Sequence, residues 1–301
     1  MVAQCSLKHT VRARGIGLHT GARVVLSLRP APPDTGIVFR RTDLSPPAII
    51  PAAAENVGEL RLSSTLTSGT AKIHTVEHLM SAFFGLGMDN VYVDVDGPEV
   101  PIMDGSAAPF IFLIQAAGMV EQDRPRRMIE ILKPIEAREE EGKWARLDPY
   151  DGFSASFTIS YPHPFFGGKS HTLTFDLTSQ SYILEIARAR TFGFLCDIER
   201  LRRDGLIKGG SLENAIVVGE REILNAGGLR FADEFVRHKV LDAMGDLYLL
   251  GHPICGAFSA NKSGHALNNK LLRALLGDPS AWRFVAAPET FRFPDERRLY
   301  A

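Results

Sequence analysis

His238 and Asp242 stand four residues apart in Phe235-Val236-Arg237-His238-Lys239-Val240-Leu241-Asp242. The segment is patterned as a helix, so an imidazole and a carboxylate share one face. Asp246 continues that face and is suited to orient a neighbouring histidine. A surface helix with an incidental i,i+4 pair would look the same, so this motif alone decides little. His74-Thr75-Val76-Glu77-His78 adds two histidines with a glutamate between them, again at an expected helix. Hydrolytic zinc chemistry needs neutral imidazole nitrogens for the metal and a carboxylate that takes a proton from its water. A third element, Lys262-Ser263-Gly264-His265-Ala266-Leu267-Asn268-Asn269-Lys270, follows an expected strand and opens an expected helix. A histidine exposed there could serve as general acid.

The elements that must position these groups are read from periodicity. Val24 to Leu28 and Val91 to Val95 alternate as strands, the second bounded by Gly97-Pro98. Thr75 to Phe84 reads as a helix between them, and Ser106 stands where it could cap another helix running through Phe110 to Ala117, with Gly118 as its stop. The charged, proline-containing stretch Glu121 to Arg127 separates two patterned halves. The expected division is therefore an N-terminal α+β domain over residues 1–124 and a C-terminal one over 125–301. The second half repeats the order, with strands at Met128 to Leu132 and Phe153 to Ser160, then helical stretches, then a strand near Ile254 to Ala260. Both halves read as α+β layers. Between Phe192 and Val218 an apolar segment broken by Asp204-Gly205 and Gly209-Gly210 reads as an insert rather than core. No G-x-G-x-x-G, P-loop or short-period repeat is present, so a dinucleotide fold or a solenoid is not indicated.

Bulk properties narrow the function. A chain of 301 residues, 45% hydrophobic, can bury a sizeable core in one large domain or two ordinary ones. A formal charge of −1 without any Lys/Arg block argues against nucleic acid and against a polybasic membrane anchor. Cys5, Cys196 and Cys255 are scattered and form no C-x-x-C pair, which disfavours a disulfide framework or a thiolate zinc site and fits reduced cytoplasmic thiols. Met1 to Arg14 lacks the apolar run of a signal peptide, and the run Leu247 to Leu250 stops at Gly251-His252-Pro253. The expectation is a soluble cytoplasmic protein that meets any lipid from the aqueous side.

Taken together and in order, T-V-E-H-L, R-H-K-x-L-D-x-x-G-D and S-G-H-x-L-N-N resemble the fingerprints of the UDP-3-O-acyl-N-acetylglucosamine deacetylase family, enzymes of lipid A synthesis. The resemblance extends to Gly15-Ile16-Gly17-Leu18-His19-Thr20-Gly21, Pro101-Ile102-Met103-Asp104-Gly105-Ser106 and Ala189-Arg190-Thr191-Phe192-Gly193-Phe194. It implies two similar layered α+β domains with the active site at their interface. It implies zinc-dependent hydrolysis of the N-acetyl amide of a UDP-3-O-(3-hydroxyacyl)-N-acetylglucosamine, releasing acetate. His78, His238 and Asp242 would bind the zinc and His74 would not. Glu77 would be the general base, His265 the general acid oriented by Asp246, and Thr191 a hydroxyl donor to the oxyanion.

The same resemblance distributes the substrate contacts. Tyr161 would face the uracil, Phe192 the sugar or acyl root, and Lys239, Lys262 and, more distantly, Lys143 the phosphates. Ile198, Ile207, Gly210, Ser211, Ala215 and Val217 would line an acyl-chain passage around residues 194–218, or serve as ordinary core. His19 would line the site or hold a turn. The stretch from Glu59 to Ala71 looks short for the family, which leaves contacts from Leu62 and Ser63 open. A fused dehydratase domain is not expected, and a monomer is. A His2Asp site also accepts Fe(II). Two rivals stand beside this reading. His74-x-x-Glu77-His78 also fits the inverted zincin signature of metallopeptidases, which would leave R-H-K-x-L-D unexplained. A nucleotide-sugar or acyl-chain binding module with a structural metal would not need the acid, base and oxyanion candidates.

Overall fold

A computed structural model describes residues 1–58, 62–177 and 181–289. The expected segment 59–71 therefore lies partly outside the described residues. Five strands form the first sheet in the order Val11–Ile16, Arg23–Pro30, Val91–Val95, Ile37–Arg41, Ala48–Pro51. All neighbours are antiparallel except Val91–Val95 with Ile37–Arg41. Val91, Val93 and Val95 are buried while Tyr92 and Asp94 are half-buried, the period-2 pattern of a sheet with one face on the core. On the other face Asp94 takes ion pairs from Arg29 at 2.8 Å and Arg40 at 3.0 Å.

Helix α1, Glu77–Leu86, is buried along its whole length. It starts two residues later than expected because Thr75 sits at φ 60°, a left-handed conformation held by its hydroxyl donating to Glu99 Oε1 at 2.8 Å. Helix α2, Ala108–Ala117, ends at Gly118 as expected, with φ 71°. Its N-cap position is Ala107, not Ser106. Ser106 is buried one residue earlier, where its Oγ donates to Asp104 and accepts from the Ala108 N–H at 3.3 Å.

In the second sheet the central strand is Ile254–Asn261, antiparallel to Trp144–Asp148 and parallel to Arg127–Ile131 and Phe153–Ser160. Ile135–Arg138, Ser170–Asp176 and Trp282–Ala286 complete its seven strands. Glu121 to Arg127 is not a plain connector: Met119–Pro125 is a strand paired with Ala3–Leu7 before the chain enters the second sheet at Arg127. The insert region holds a short parallel pair, Phe192–Phe194 with Ile216–Val218, joined through helix α3, Leu195–Arg203, which buries no residue. No described helix is long and apolar enough to cross a membrane.

Helices α4, Glu234–Leu247, and α5, His265–Leu276, come from the second half. One continuous core joins both halves, with α1 packed along α4. Gly245 makes that approach possible: a Cβ there would lie 2.0 Å from the Glu77 carbonyl oxygen, so only glycine fits. Two polar ties reinforce the junction. The buried Arg126 guanidinium pairs with Asp89 at 2.8 Å and also donates to the Gly87 carbonyl, and Tyr248 Oη donates to the Met88 carbonyl at 2.7 Å.

Candidate active site

The first turn of α1 and two turns of α4 meet at this junction. His78, His238 and Asp242 are all buried, and one ligand atom from each lies within 4.8 Å of the others. Asp242 Oδ1 is 3.2 Å from His238 Nε2 and 3.4 Å from His78 Nε2. His238 Nδ1 donates to the Ala189 carbonyl at 3.0 Å, which fixes the tautomer and turns the Nε2 lone pair towards Asp242. Burial is the main reason that the His238 pKa falls to about 3, despite Asp242. Burial opposes ionisation of Asp242 as well, but His238 and the Lys239 ammonium, 2.8 Å from Oδ2, hold its carboxyl well below the usual range. Asp242 Oδ1 accepts no hydrogen bond although it is buried. Two imidazole nitrogens and an unsatisfied carboxylate oxygen converging on one space suit a cation.

Beside this cluster is a second one. Glu77 is buried, and burial raises its pKa. Its Oε1 is 3.8 Å from His265 Nε2, and its Oε2 accepts from the Ser64 N–H at 3.0 Å. His265 Nδ1 lies 2.8 Å from Asp246 Oδ2; a carboxylate only accepts, so Nδ1 carries the proton. Burial works against an imidazolium there, but the carboxylates of Asp246 and Glu77 outweigh it and push the pKa up to about 9. Asp246 also accepts from Ser64 Oγ at 2.5 Å and Asn268 Nδ2 at 2.8 Å. A carboxyl whose pKa is raised and a histidine whose pKa is raised thus stand side by side, an arrangement suited to acid/base chemistry.

Thr191 is half-buried two residues beyond Ala189, with its N–H on the Gly105 carbonyl at 2.8 Å. Phe192 is 6.3 Å from the His238 ring and 5.7 Å from that of Tyr161. Lys239 Nζ, besides its bond to Asp242, sits 5.8 Å over the Phe192 ring, so it is engaged by the site itself. Lys262 is exposed at φ 53°. Lys143 pairs with Glu141 at 3.4 Å in the hairpin turn, and its neighbour Trp144 opposes Asn261, next to Lys262. The two lysines share one end of the sheet. Ile198, Ile207, Gly210, Ala215 and Val217 are half-buried and Ser211 is exposed. Ile207 has φ 49° and its carbonyl accepts from the Gly210 N–H. A separate cavity of about 320 Å³ lies behind Phe235, between Phe166, Leu229 and Val236, and includes none of the acid/base or cluster residues.

His74 stays outside the three-residue cluster; its Nδ1 is 2.9 Å from Thr65 Oγ1. His19 is buried with neither ring nitrogen hydrogen-bonded, while its backbone N–H donates to Glu99 at 2.9 Å. Of the two loop residues left open, Leu62 is exposed at φ 66° and Ser63 is buried. Sequence reading missed Ser64, Asn268 and the Ala189 carbonyl. Asn268 lay inside the quoted S-G-H-x-L-N-N string, three residues from His265 on a helix. No sequence signal marks a carbonyl or a loop serine.

The chain matches over residues 4–277 the family described as UDP-3-O-acyl N-acetylglycosamine deacetylase. A UDP-3-O-acyl-N-acetylglucosamine deacetylase of Nitrosococcus oceani is 58% identical over 301 residues, covering 98% of this chain and 99% of the relative. Proteins of the same name from Thioalkalivibrio sulfidiphilus and Methylococcus capsulatus are each 56% identical, covering 95% of this chain and 93% and 94% of theirs.

Proposed function

The chain belongs to the UDP-3-O-acyl-N-acetylglucosamine deacetylase family, and from that premise we propose how its residues perform the hydrolysis. The reaction is removal of the N-acetyl group of a UDP-3-O-acyl-N-acetylglucosamine, in lipid A biosynthesis, by a metal-dependent amide hydrolase. The observation that carries the assignment of roles is the adjacency of two buried sets: His78, His238 and Asp242 around one space, and Glu77, His265 and Asp246 beside it.

His78 Nε2, His238 Nε2 and Asp242 Oδ1 would hold the metal, zinc by ligand type with Fe(II) as the alternative. When bound, it supplies Lewis acidity and lowers the pKa of water. Glu77 accepts the proton of the attacking water. Burial raises its pKa, which makes it a stronger proton acceptor than an exposed carboxylate. His265, charged and fixed by Asp246, stabilises negative charge on the amide oxygen and then protonates the departing sugar amine from Nε2. Thr191 offers its hydroxyl to the same oxygen. The peptidase reading has less support, since His74 stands apart from the cluster and pairs with Thr65.

For the substrate, Tyr161 and Phe192 supply aromatic faces and Lys239, Lys262 and Lys143 the positive charge that a pyrophosphate needs. The half-buried apolar residues Ile198, Ile207, Ala215 and Val217, with Gly210 and Ser211, support an acyl passage beside the 192–194 strand. We read the domain division at 124/125, a monomer in the cytoplasm, and no nucleic-acid partner. Acetate release from UDP-3-O-(3-hydroxyacyl)-N-acetylglucosamine tests the assignment. Chelation should abolish turnover and added zinc should restore it, with Glu77→Ala inactive at full metal content. A metal-loaded, folded protein without turnover would move the assignment to a binding module.

A further inference from the structure

We infer that Ser64 is a positioning residue that joins the base and the acid of the site into one rigid unit. All three of its polar groups are committed, and it is only 1% exposed. Its N–H donates to Glu77 Oε2 at 3.0 Å, its Oγ donates to Asp246 Oδ1 at 2.5 Å, and its carbonyl accepts from the Val76 N–H at 3.3 Å. Val76 is the residue from which α1 starts. Ser64 therefore holds the Glu77 carboxylate and the origin of the helix that carries it, and reaches across the junction to α4 through Asp246.

The contacts close a ring: Ser64 to Glu77, Glu77 to His265 at 3.8 Å, His265 to Asp246 at 2.8 Å, and Asp246 back to Ser64. Each carboxylate has two oxygens, and Ser64 uses one of each. On Glu77 this fixes Oε2 and leaves Oε1 towards His265. On Asp246 the hydroxyl occupies Oδ1, Asn268 occupies Oδ2, and the carboxylate plane is set so that His265 Nδ1 meets it at 2.8 and 3.1 Å. Without the hydroxyl Asp246 can rotate, and the imidazole turns with it. Serine suits the task because its short side chain leaves the loop backbone close enough for the N–H to reach Glu77. Asn268 is itself steadied by Ser263 Oγ at 2.6 Å, so Asp246 is bracketed from two segments.

This inference rests on the roles proposed for Glu77 and His265. Ser64→Ala removes the hydroxyl and keeps the backbone N–H. It should lower kcat by about 10- to 100-fold, the usual cost of losing an orienting partner, with KM, metal content and Tm close to wild type. Ser64→Thr restores a hydroxyl and should recover most of kcat. The Nδ1–H proton resonance of His265 in the metal-loaded protein should shift in Ser64→Ala and return in Ser64→Thr, a readout independent of turnover. In a His265→Ala background, Ser64→Ala should cost little more, because the two act through one chain of contacts. A Ser64→Ala protein with wild-type kcat, or one whose defect lies in KM or metal content, would overturn the inference. Wild-type turnover in Glu77→Ala and His265→Ala would instead overturn the roles on which it rests.

Discussion

Gly245→Ala isolates the contact that spaces the two halves of the site. An added Cβ would lie 2.0 Å from the Glu77 carbonyl oxygen, 2.8 Å from its carbon and 3.1 Å from its Cα, whereas ordinary contact begins at 3.4 Å. The obstacle is helix backbone, which cannot swing aside, so α1 and α4 must part by about 1.4 Å, the difference of 3.4 and 2.0. Helix propensity acts in the opposite direction, since alanine is favoured over glycine by about 1 kcal/mol in a helix interior. Overpacking costs about 1–3 kcal/mol, so the net loss of stability is at most about 2 kcal/mol and the protein should fold. Activity is more sensitive. Glu77 and His78 ride on α1, while His238, Asp242 and Asp246 ride on α4. A misplacement of about 1 Å in such a constellation can cost roughly 100-fold in rate. Calorimetry for Tm, competition with a chromophoric chelator for metal affinity, and acetate release for kcat measure the three consequences. If Gly245→Ala gains stability and keeps both metal affinity and kcat, the helix contact does not set the geometry of the site.

Two further outcomes follow from the protonation states. His265, pushed up to about 9 with burial opposing and Asp246 and Glu77 prevailing, is charged below that value, so kcat/KM should fall as pH rises through it. Asp246→Asn removes a carboxylate and should move this alkaline limb towards the ordinary histidine value of 6.5; an unmoved limb would mean that another group titrates. Burial raises the Cys5 thiol to about 12, while Cys196 is exposed. Iodoacetamide near pH 8 should alkylate Cys196 first and Cys5 about 10³-fold more slowly than an ordinary thiol, as peptide mapping would reveal; comparable rates would contradict that burial.

The five strands read from the sequence are all present, because alternation survives wherever a sheet has one covered face, as at Val91 to Val95. The sequence also contained the three helices that carry site residues, because helical spacing is a local property. Where it misled, tertiary contacts overrode local signals. Thr75 has a respectable place in an amphipathic pattern, yet Glu99 holds it left-handed and delays α1. Ser106 has the chemistry of a cap, yet Asp104 occupies its hydroxyl. The charged run at Glu121 has the composition of a linker, yet it pairs with the N-terminal strand. Lys239 was legible as a cation but not as the partner of Asp242, which depends on the rotamer that packing imposes over Phe192. Ser64 was not legible as a site residue, because its relation to Asp246 spans 182 positions and no local pattern encodes it.

The carboxylates at the junction are unequally compensated. The buried Glu77, Asp242 and Asp246 face the half-buried Lys239 ammonium and His265 imidazolium, a formal balance of −3 + 2 = −1. Taking a carboxylate out of water costs about several kcal/mol unless hydrogen bonds and opposite charge replace the lost hydration. Asp246 is fully compensated by Ser64, His265 and Asn268. Asp242 is compensated on Oδ2 by Lys239 but not on Oδ1. Glu77 is compensated on Oε2 by Ser64, while His265 stays 3.8 Å from Oε1, beyond hydrogen-bond reach. The less compensated carboxylate oxygens, Asp242 Oδ1 and Glu77 Oε1, thus lie in adjoining clusters. On the proposed roles, a cation at Asp242 Oδ1 would compensate the first, and a proton taken up at Glu77 Oε1 the second. Binding the metal and accepting a proton from water would, on those roles, be the two events that offset the cost of this burial.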